Sequence, residues 1–122
     1  MLRNCLYVML GGAIGALLRY CVSQLFSDVR FFSMPVGTFL VNIVGCFVLG
    51  LLTGIGETRG AQPYMLMLTV GVCGAFTTFS TFSGETIKAA EAGHALQAAV
   101  YVALSIAVGF LLFWTGKHLV TA

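Results

Sequence analysis

The stretch YMLMLTVGVCGAFTTFSTFSG, from Tyr64 to Gly84, combines the length of a membrane span with an unusual run of polar positions. It contains no charged residue, and roughly 20 such residues in a helix cross the ~30 Å hydrocarbon core of a bilayer. A glycine pair, Gly71 and Gly74, is followed by Thr77 and Thr78. Glycines followed by β-branched residues favour a break in a helix. The pattern predicts a membrane helix that is broken near its middle.

The composition of the chain extends this prediction to the other segments. Only 8% of the 122 residues are charged and 59% are hydrophobic, whereas a soluble domain carries about 25% charged residues. The apolar runs are continuous and do not alternate, which argues against a β-barrel, and the first run lacks the cleavage site of a signal peptide. We predict an all-α membrane protein, a single domain over residues 1–122, with spans near Asn4–Phe26, Val36–Ile55, Pro63–Ala90 and Ala95–Leu119.

Positive charges give the spans no preferred orientation. Four spans place three cations on the side of the termini (Arg3, Arg59 and Lys117) and three on the other (Arg19, Arg30 and Lys88). The positive-inside rule therefore selects neither direction. One interpretation is a weak signal in a small protein. The other is a dual-topology chain whose partner is an inverted copy of itself. A net charge of +2 does not indicate a nucleic-acid partner.

A broken third helix would bring ion-binding groups to the middle of the membrane. Non-helical backbone is tolerated there when it lines a cavity, and the freed carbonyls hold cations while freed N–H groups face anions. Phe79 and Phe82 share one helix face, close to the hydroxyls of Ser80 and Thr81. Because aromatic ring edges are partly positive, this set suits an anion better than a cation. The alternative is that both rings face lipid or the core.

Two further helices carry polar side chains one turn apart. Asn42 lies in the middle of the second span, where an unpaired amide is costly, and Thr38 lies on the same face. In the fourth span, Tyr101 and Ser105 form a second polar line, which Gly109 continues without a side chain. A hydrogen bond inside the bundle is the simpler interpretation of Asn42, and an anion path is the alternative.

The remaining polar residues are weaker candidates. Arg19 lies near the end of the first span, where its side chain would snorkel to the interface or serve an anion vestibule, and Glu85 is a second vestibule candidate. The cysteines (Cys5, Cys21, Cys46 and Cys73) show no metal or redox spacing, so we predict that they pack as small apolar residues. Because no nucleophile–base pair or metal set is visible, we predict that the chain is not an enzyme.

Three of these segments resemble the Fluc (CrcB) family of fluoride channels. They are GGAIGALLRY in the first span, GTFLVNIVGCF in the second, and the third-span motif GxxGAFTTFSTFSGE. The resemblance covers essentially the whole chain. It implies an antiparallel, dual-topology homodimer in the cytoplasmic (inner) membrane, with two fluoride pores and passive fluoride export.

The resemblance also assigns roles to single residues. It implies that Phe79 and Phe82 line the pores, together with Asn42 and the line from Tyr101 to Ser105, and that backbone carbonyls of Gly74 and Thr77 hold one structural sodium ion at the dimer centre. Gly109 departs from the hydroxyl residue that the family often has there. Two other classes stay open: a small dual-topology multidrug exporter, which would need a membrane carboxylate, and a structural membrane subunit.

Overall fold

Four helical stretches dominate the chain. The computed structural model describes residues 1–31, 33–60 and 62–122. Within these ranges, the stretches long and apolar enough to cross a membrane are Leu2–Leu25, Val36–Arg59, Pro63–Glu91 and Ala95–Thr121. The prediction of an all-helical protein with four membrane-spanning helices is confirmed, and the chain is a multi-pass membrane protein. We call the first, second and last stretches α1, α2 and α6.

The third stretch is divided into segments. It begins with α3 (Pro63–Leu66), continues as a π-helical segment (Met67–Cys73) and a short α4 (Gly74–Phe76), and ends with α5 (Phe79–Glu91). Thr77 (φ −82°, ψ 159°) and Thr78 (φ −149°, ψ 123°) have extended backbone between α4 and α5. Gly71 and Gly74 themselves are helical, so the threonines that follow them carry the change in backbone direction.

A short hairpin joins α1 to α2. Strands β1 (Arg30–Phe31) and β2 (Met34–Pro35) pair antiparallel, and Pro35 is the N-cap residue of α2. Met34 is fully buried against Ala89, Ala98 and Tyr101. The hairpin thereby packs where the C-terminal end of α5 meets the N-terminal part of α6.

Glycines let the helices pack closely in two pairs. A Cβ atom on Gly11 or Gly15 of α1 would fall on a backbone carbonyl oxygen of the π-helical segment, and one on Gly50 would fall on a carbonyl oxygen of α6. A Cβ atom on Gly54 would likewise lie 2.8 Å from the carbonyl oxygen of Lys117 in α6. Small residues four positions apart on one helix face allow this close approach of backbones. The first helix pairs with the third stretch, and the second helix pairs with the fourth.

Large apolar side chains cover the outside of the bundle. Leu2, Leu17 and Phe110 are among the exposed ones, and Phe110 is 74% exposed. Exposed apolar side chains in such number are covered by lipid or by another protein chain.

Candidate functional site: the helix interruption and its polar surroundings

The side chain of Asn42 binds the backbone of Thr78 at the interruption. The Thr78 N–H donates to Asn42 Oδ1 at 2.8 Å, and Asn42 Nδ2 donates to the Thr78 carbonyl oxygen at 3.1 Å. In a continuous helix the Thr78 N–H would reach the carbonyl of Gly74. The amide of Asn42 in α2 therefore holds the extended backbone in place. This is a hydrogen bond inside the bundle, the simpler of the two interpretations of Asn42 given above.

Arg19 also lies against the interruption. Its Nε donates to the carbonyl oxygen of Ala75 at 2.9 Å, an oxygen that would otherwise accept from the N–H of Phe79 in a continuous helix. Arg19 is half-buried, and this bond ties its guanidinium to the third stretch. Snorkelling alone does not describe this side chain.

Two backbone carbonyls beside the interruption lose their helical partners. Thr81 N–H donates to Thr78 Oγ1 at 3.3 Å, as in a helix N-cap, and so does not reach the carbonyl of Thr77. The Gly74 carbonyl loses the Thr78 N–H in the same way. Gly74 and Thr77 line one cavity of about 310 Å³. Carbonyl oxygens are the ligands that hard cations prefer, so this pair fits the predicted sodium ion.

The described ranges contain no cluster of three or more His, Cys, Asp or Glu side chains suited to a metal ion. The sequence-predicted residues Gly74 and Thr77 are brought to one place, and their role as ligands stays a prediction.

Aromatic rings form a row from the surface of α5 into the bundle. The ring centroids of Phe79 and Phe82 are 6.1 Å apart, and those of Phe82 and Tyr101 are 5.2 Å apart. Phe39 continues the row at 6.2 Å from Tyr101. The ring planes in all three pairs are inclined to each other by 43–44°, so each ring turns part of its edge as well as its face towards its neighbour. Phe39 was missed by the sequence analysis, although it lies one residue from Thr38.

Two buried hydroxyls on α6 lack a hydrogen-bond partner. Tyr101 Oη and Ser105 Oγ are both buried and unpaired among the described residues. A buried hydroxyl without a hydrogen-bond partner destabilises the fold by about 1–3 kcal/mol. A ligand that accepts a hydrogen bond from such a hydroxyl would recover this free energy. Gly109 is buried one turn further on, and a Cβ there would lie 3.4 Å from Cys46 Sγ. The structure thus brings the predicted polar line of α6 together with a thiol from α2.

Thr38 and Glu85 line a second cavity, of about 200 Å³, together with Thr81 and Arg30. Thr38 is 4% exposed, and Glu85 Oε1 is buried without a hydrogen-bond partner in the described part of the chain. Thr38 and Asn42 share a helix face but border different cavities. Ser80 is exposed, with its Oγ 3.5 Å from Thr78 Oγ1.

Comparison with known proteins decides the family. The family model described as CrcB-like protein, Camphor Resistance (CrcB), matches residues 6–117. The chain belongs to the CrcB family.

Curated relatives of this CrcB chain carry one shared name. A protein of Shewanella pealeana called Fluoride-specific ion channel FluC is 38% identical over 120 residues, which is 98% of this chain and 97% of the relative. Proteins of the same name are 39% identical over 120 residues in Shewanella oneidensis, with the same coverage, and 37% identical over 117 residues in Flavobacterium psychrophilum, with 94% of each chain covered. The resemblance seen in the sequence is confirmed. The names describe channels, in agreement with the prediction that the chain is not an enzyme.

Proposed function

We propose that this chain forms a fluoride-selective channel. The observation that carries the proposal is the pair of buried hydroxyls of Tyr101 and Ser105, which are unpaired among the described residues. The ring of Tyr101 also packs against that of Phe82. Fluoride is small and strongly hydrated, so a path for it must replace water with hydrogen-bond donors. The family and the printed names of the relatives support the same anion.

Along the proposed path, the donors would change from one group to the next. Hydroxyls of Thr38 and Thr81 border the cavity that also holds Glu85 and Arg30, and the tilted ring edges of Phe82 and Phe79 lead past Tyr101 to Ser105. Ser80 and the second amide hydrogen of Asn42 are further donors near Thr78. A series of weak hydrogen-bond donors along the path, without a full positive charge at the centre of the pore, lets the ion pass and does not trap it.

The proposed assembly is an antiparallel, dual-topology homodimer with two pores. The balanced distribution of Arg and Lys supports insertion in both directions, and the exposed apolar surface supports a partner chain. We place one sodium ion at the dimer centre, where the Gly74 and Thr77 carbonyls would hold it. Its chemistry would be structural, as a cation that neutralises carbonyl dipoles left free by the interruption.

In the cell, the channel would export fluoride passively across the cytoplasmic (inner) membrane. Hydrogen fluoride crosses a bilayer as a neutral molecule and dissociates in a less acidic interior, which traps the anion. A passive path then lets fluoride leave down its electrochemical gradient, and Arg19 and Glu85 would act as vestibule groups.

Fluoride efflux from liposomes tests the proposal. Purified protein is reconstituted with internal potassium fluoride, and efflux is started with a potassium ionophore and followed with a fluoride electrode. We expect rapid fluoride release and no comparable release of chloride. Equal release of both anions would contradict the selectivity. Transport that requires an imposed proton gradient would favour the exporter class, for which Glu85 would be the membrane carboxylate.

A further inference from the structure

Helices α2 and α6 run parallel in one register. Three close contacts between them, each measured from the Cβ atom that a glycine would carry, join residues whose numbers differ by 63. They pair Cys46 with Gly109, Gly50 with Phe113, and Gly54 with Lys117. Because both numbers rise together, the two helices point in the same direction. The same register extends to the turns that precede Cys46 and Gly109.

The register sets the polar residues of the two helices side by side. One and two turns before the first of these contacts, it pairs Asn42 with Ser105 and Thr38 with Tyr101. The ring of Phe39, next to Thr38, has its centroid 6.2 Å from that of Tyr101, which agrees with this register. We call these two pairs, together with the pair of Cys46 and Gly109, the α2–α6 seam.

The third pair of the seam has one polar side chain, the Cys46 thiol. Gly109 has no side chain, and a Cβ there would lie 3.4 Å from Cys46 Sγ. One turn further along, a Cβ on Gly50 would fall on a carbonyl oxygen of α6, so the two backbones leave no room between them. The Cys46 thiol is therefore the last side-chain hydrogen-bond donor of the seam before the helices close on each other.

We propose that the Cys46 thiol is the terminal hydrogen-bond donor of the fluoride path, where α6 has only Gly109. The inference rests on the proposed function, in which the ion passes the buried hydroxyls of Tyr101 and Ser105. Both hydroxyls are unpaired among the described residues, and Tyr101 is 3% exposed, which indicates independently of the cysteine that the seam takes a ligand.

The chemistry of a thiol suits the end of such a path. The thiol keeps its proton and directs its S–H towards the ion, so no covalent bond forms and no charge is added to the membrane interior. An S–H group is a weak donor in comparison with a hydroxyl. Because conduction requires sites that hold the ion weakly enough for it to leave, a weak last donor favours release.

Alanine and serine at Cys46 separate hydrogen bonding from packing. Alanine removes the donor, whereas serine replaces the S–H by an O–H. We expect Cys46→Ala to lower fluoride efflux from liposomes about fivefold and Cys46→Ser to stay within about twofold of the wild type. Cys21→Ala removes an exposed cysteine of α1 and should leave efflux unchanged. If Cys46 only packs against its neighbours, the polar serine should be no better than alanine, so equal efflux from these two variants would overturn the inference.

A hydroxyl supplied from α6 gives the sharper test. Apart from α6 itself, Cys46 Sγ is the only described atom that would lie within 4 Å of a Cβ at Gly109, and Cys46→Ala removes it. In the Cys46→Ala background, Gly109→Ser should therefore restore efflux to within about twofold of the wild type. Gly109→Ala fills the same space without a donor and should not restore it. Restoration by both second substitutions, or by neither, would overturn the role of the donor.

The wild type separates this inference from the proposed function. Gel filtration first confirms that each variant is folded. If the wild type releases fluoride and folded Cys46→Ala releases it equally fast, Cys46 is not a donor of the path and the proposed channel stands. If the wild type itself releases no fluoride, the proposed function fails, and the role of Cys46 fails with it.

Discussion

Replacing Asn42 by leucine tests whether the amide holds the interruption in place. Leucine keeps a similar volume but removes both hydrogen bonds to Thr78, which measure 2.8 and 3.1 Å. Hydrogen bonds between membrane helices average about 0.6 kcal/mol, which gives a lower bound of about 1.2 kcal/mol for two. Only the Thr78 N–H would be left as an orphan, because the Thr78 carbonyl at the N-cap of α5 also accepts a bond within that helix. A fully dehydrated orphan N–H would cost up to about 3 kcal/mol.

The surroundings of Asn42 indicate that the loss of unfolding free energy in the leucine variant lies between these bounds. Asn42 is half-buried and borders a cavity of about 310 Å³, so water would reach the freed N–H of Thr78 and recover part of the loss. We expect the Asn42→Leu variant to lose about 2 kcal/mol of unfolding free energy. Reversible unfolding in mixed detergent micelles, followed by the fluorescence of Trp114, measures this value.

Thr53→Val is the matched control on the same helix. Thr53 Oγ1 donates at 2.7 Å to the Leu49 carbonyl, four residues earlier in α2, and that carbonyl also accepts a helical bond. Removing the hydroxyl leaves no orphan group, so the loss should stay below about 0.5 kcal/mol. If Asn42→Leu costs no more than Thr53→Val, the amide does not hold the interruption, and its role must lie elsewhere.

Three other predictions follow from the packing, the rings and the charges. Phe82→Ile should lower fluoride efflux about tenfold, or about 1.4 kcal/mol, while the exposed Phe110→Ile on α6 stays near wild type; equal effects would rule out the ring-edge contribution. Gly15→Ala should cost about 1–3 kcal/mol of stability because its Cβ meets a backbone carbonyl, whereas Gly12→Ala, which meets nothing within 4 Å, should not; an intact Gly15→Ala variant would contradict the close packing. Lysines added at the C-terminus, or instead in the Ser27–Pro35 loop, should each abolish efflux alone and restore it when co-expressed; full efflux from one singly oriented variant would refute the antiparallel dimer.

The number of helices could be predicted from the sequence because it depends on local properties. A charge-free run of sufficient length indicates a span without knowledge of any other segment. The glycine contacts were predictable for the same reason, since spacing alone places Gly50 and Gly54 on one face. The choice of partner helix was not predictable, because small residues mark a contact without identifying the surface that fills it.

The polar site was only partly predictable, because its bonds connect distant segments. Asn42 reaches Thr78 across 36 residues and Arg19 reaches Ala75 across 56. The sequence singled out Asn42 through the cost of an amide at mid-membrane, but nothing local revealed that its partner is the backbone of another helix.

The first helix pairs with the third stretch and the second helix with the fourth, and this arrangement sets an order of events during synthesis. The first helix ends at Leu25, and its partner segment is complete only at Cys73; the second ends at Arg59, and its partner only at Thr121. At roughly 5–20 residues per second, α2 waits on the order of 3–12 s with its glycine face uncovered. The glycine faces of α1 and α2 are therefore both without their partner helices for part of synthesis. Neighbouring lipid or the insertion machinery must cover these faces until the last helix leaves the ribosome.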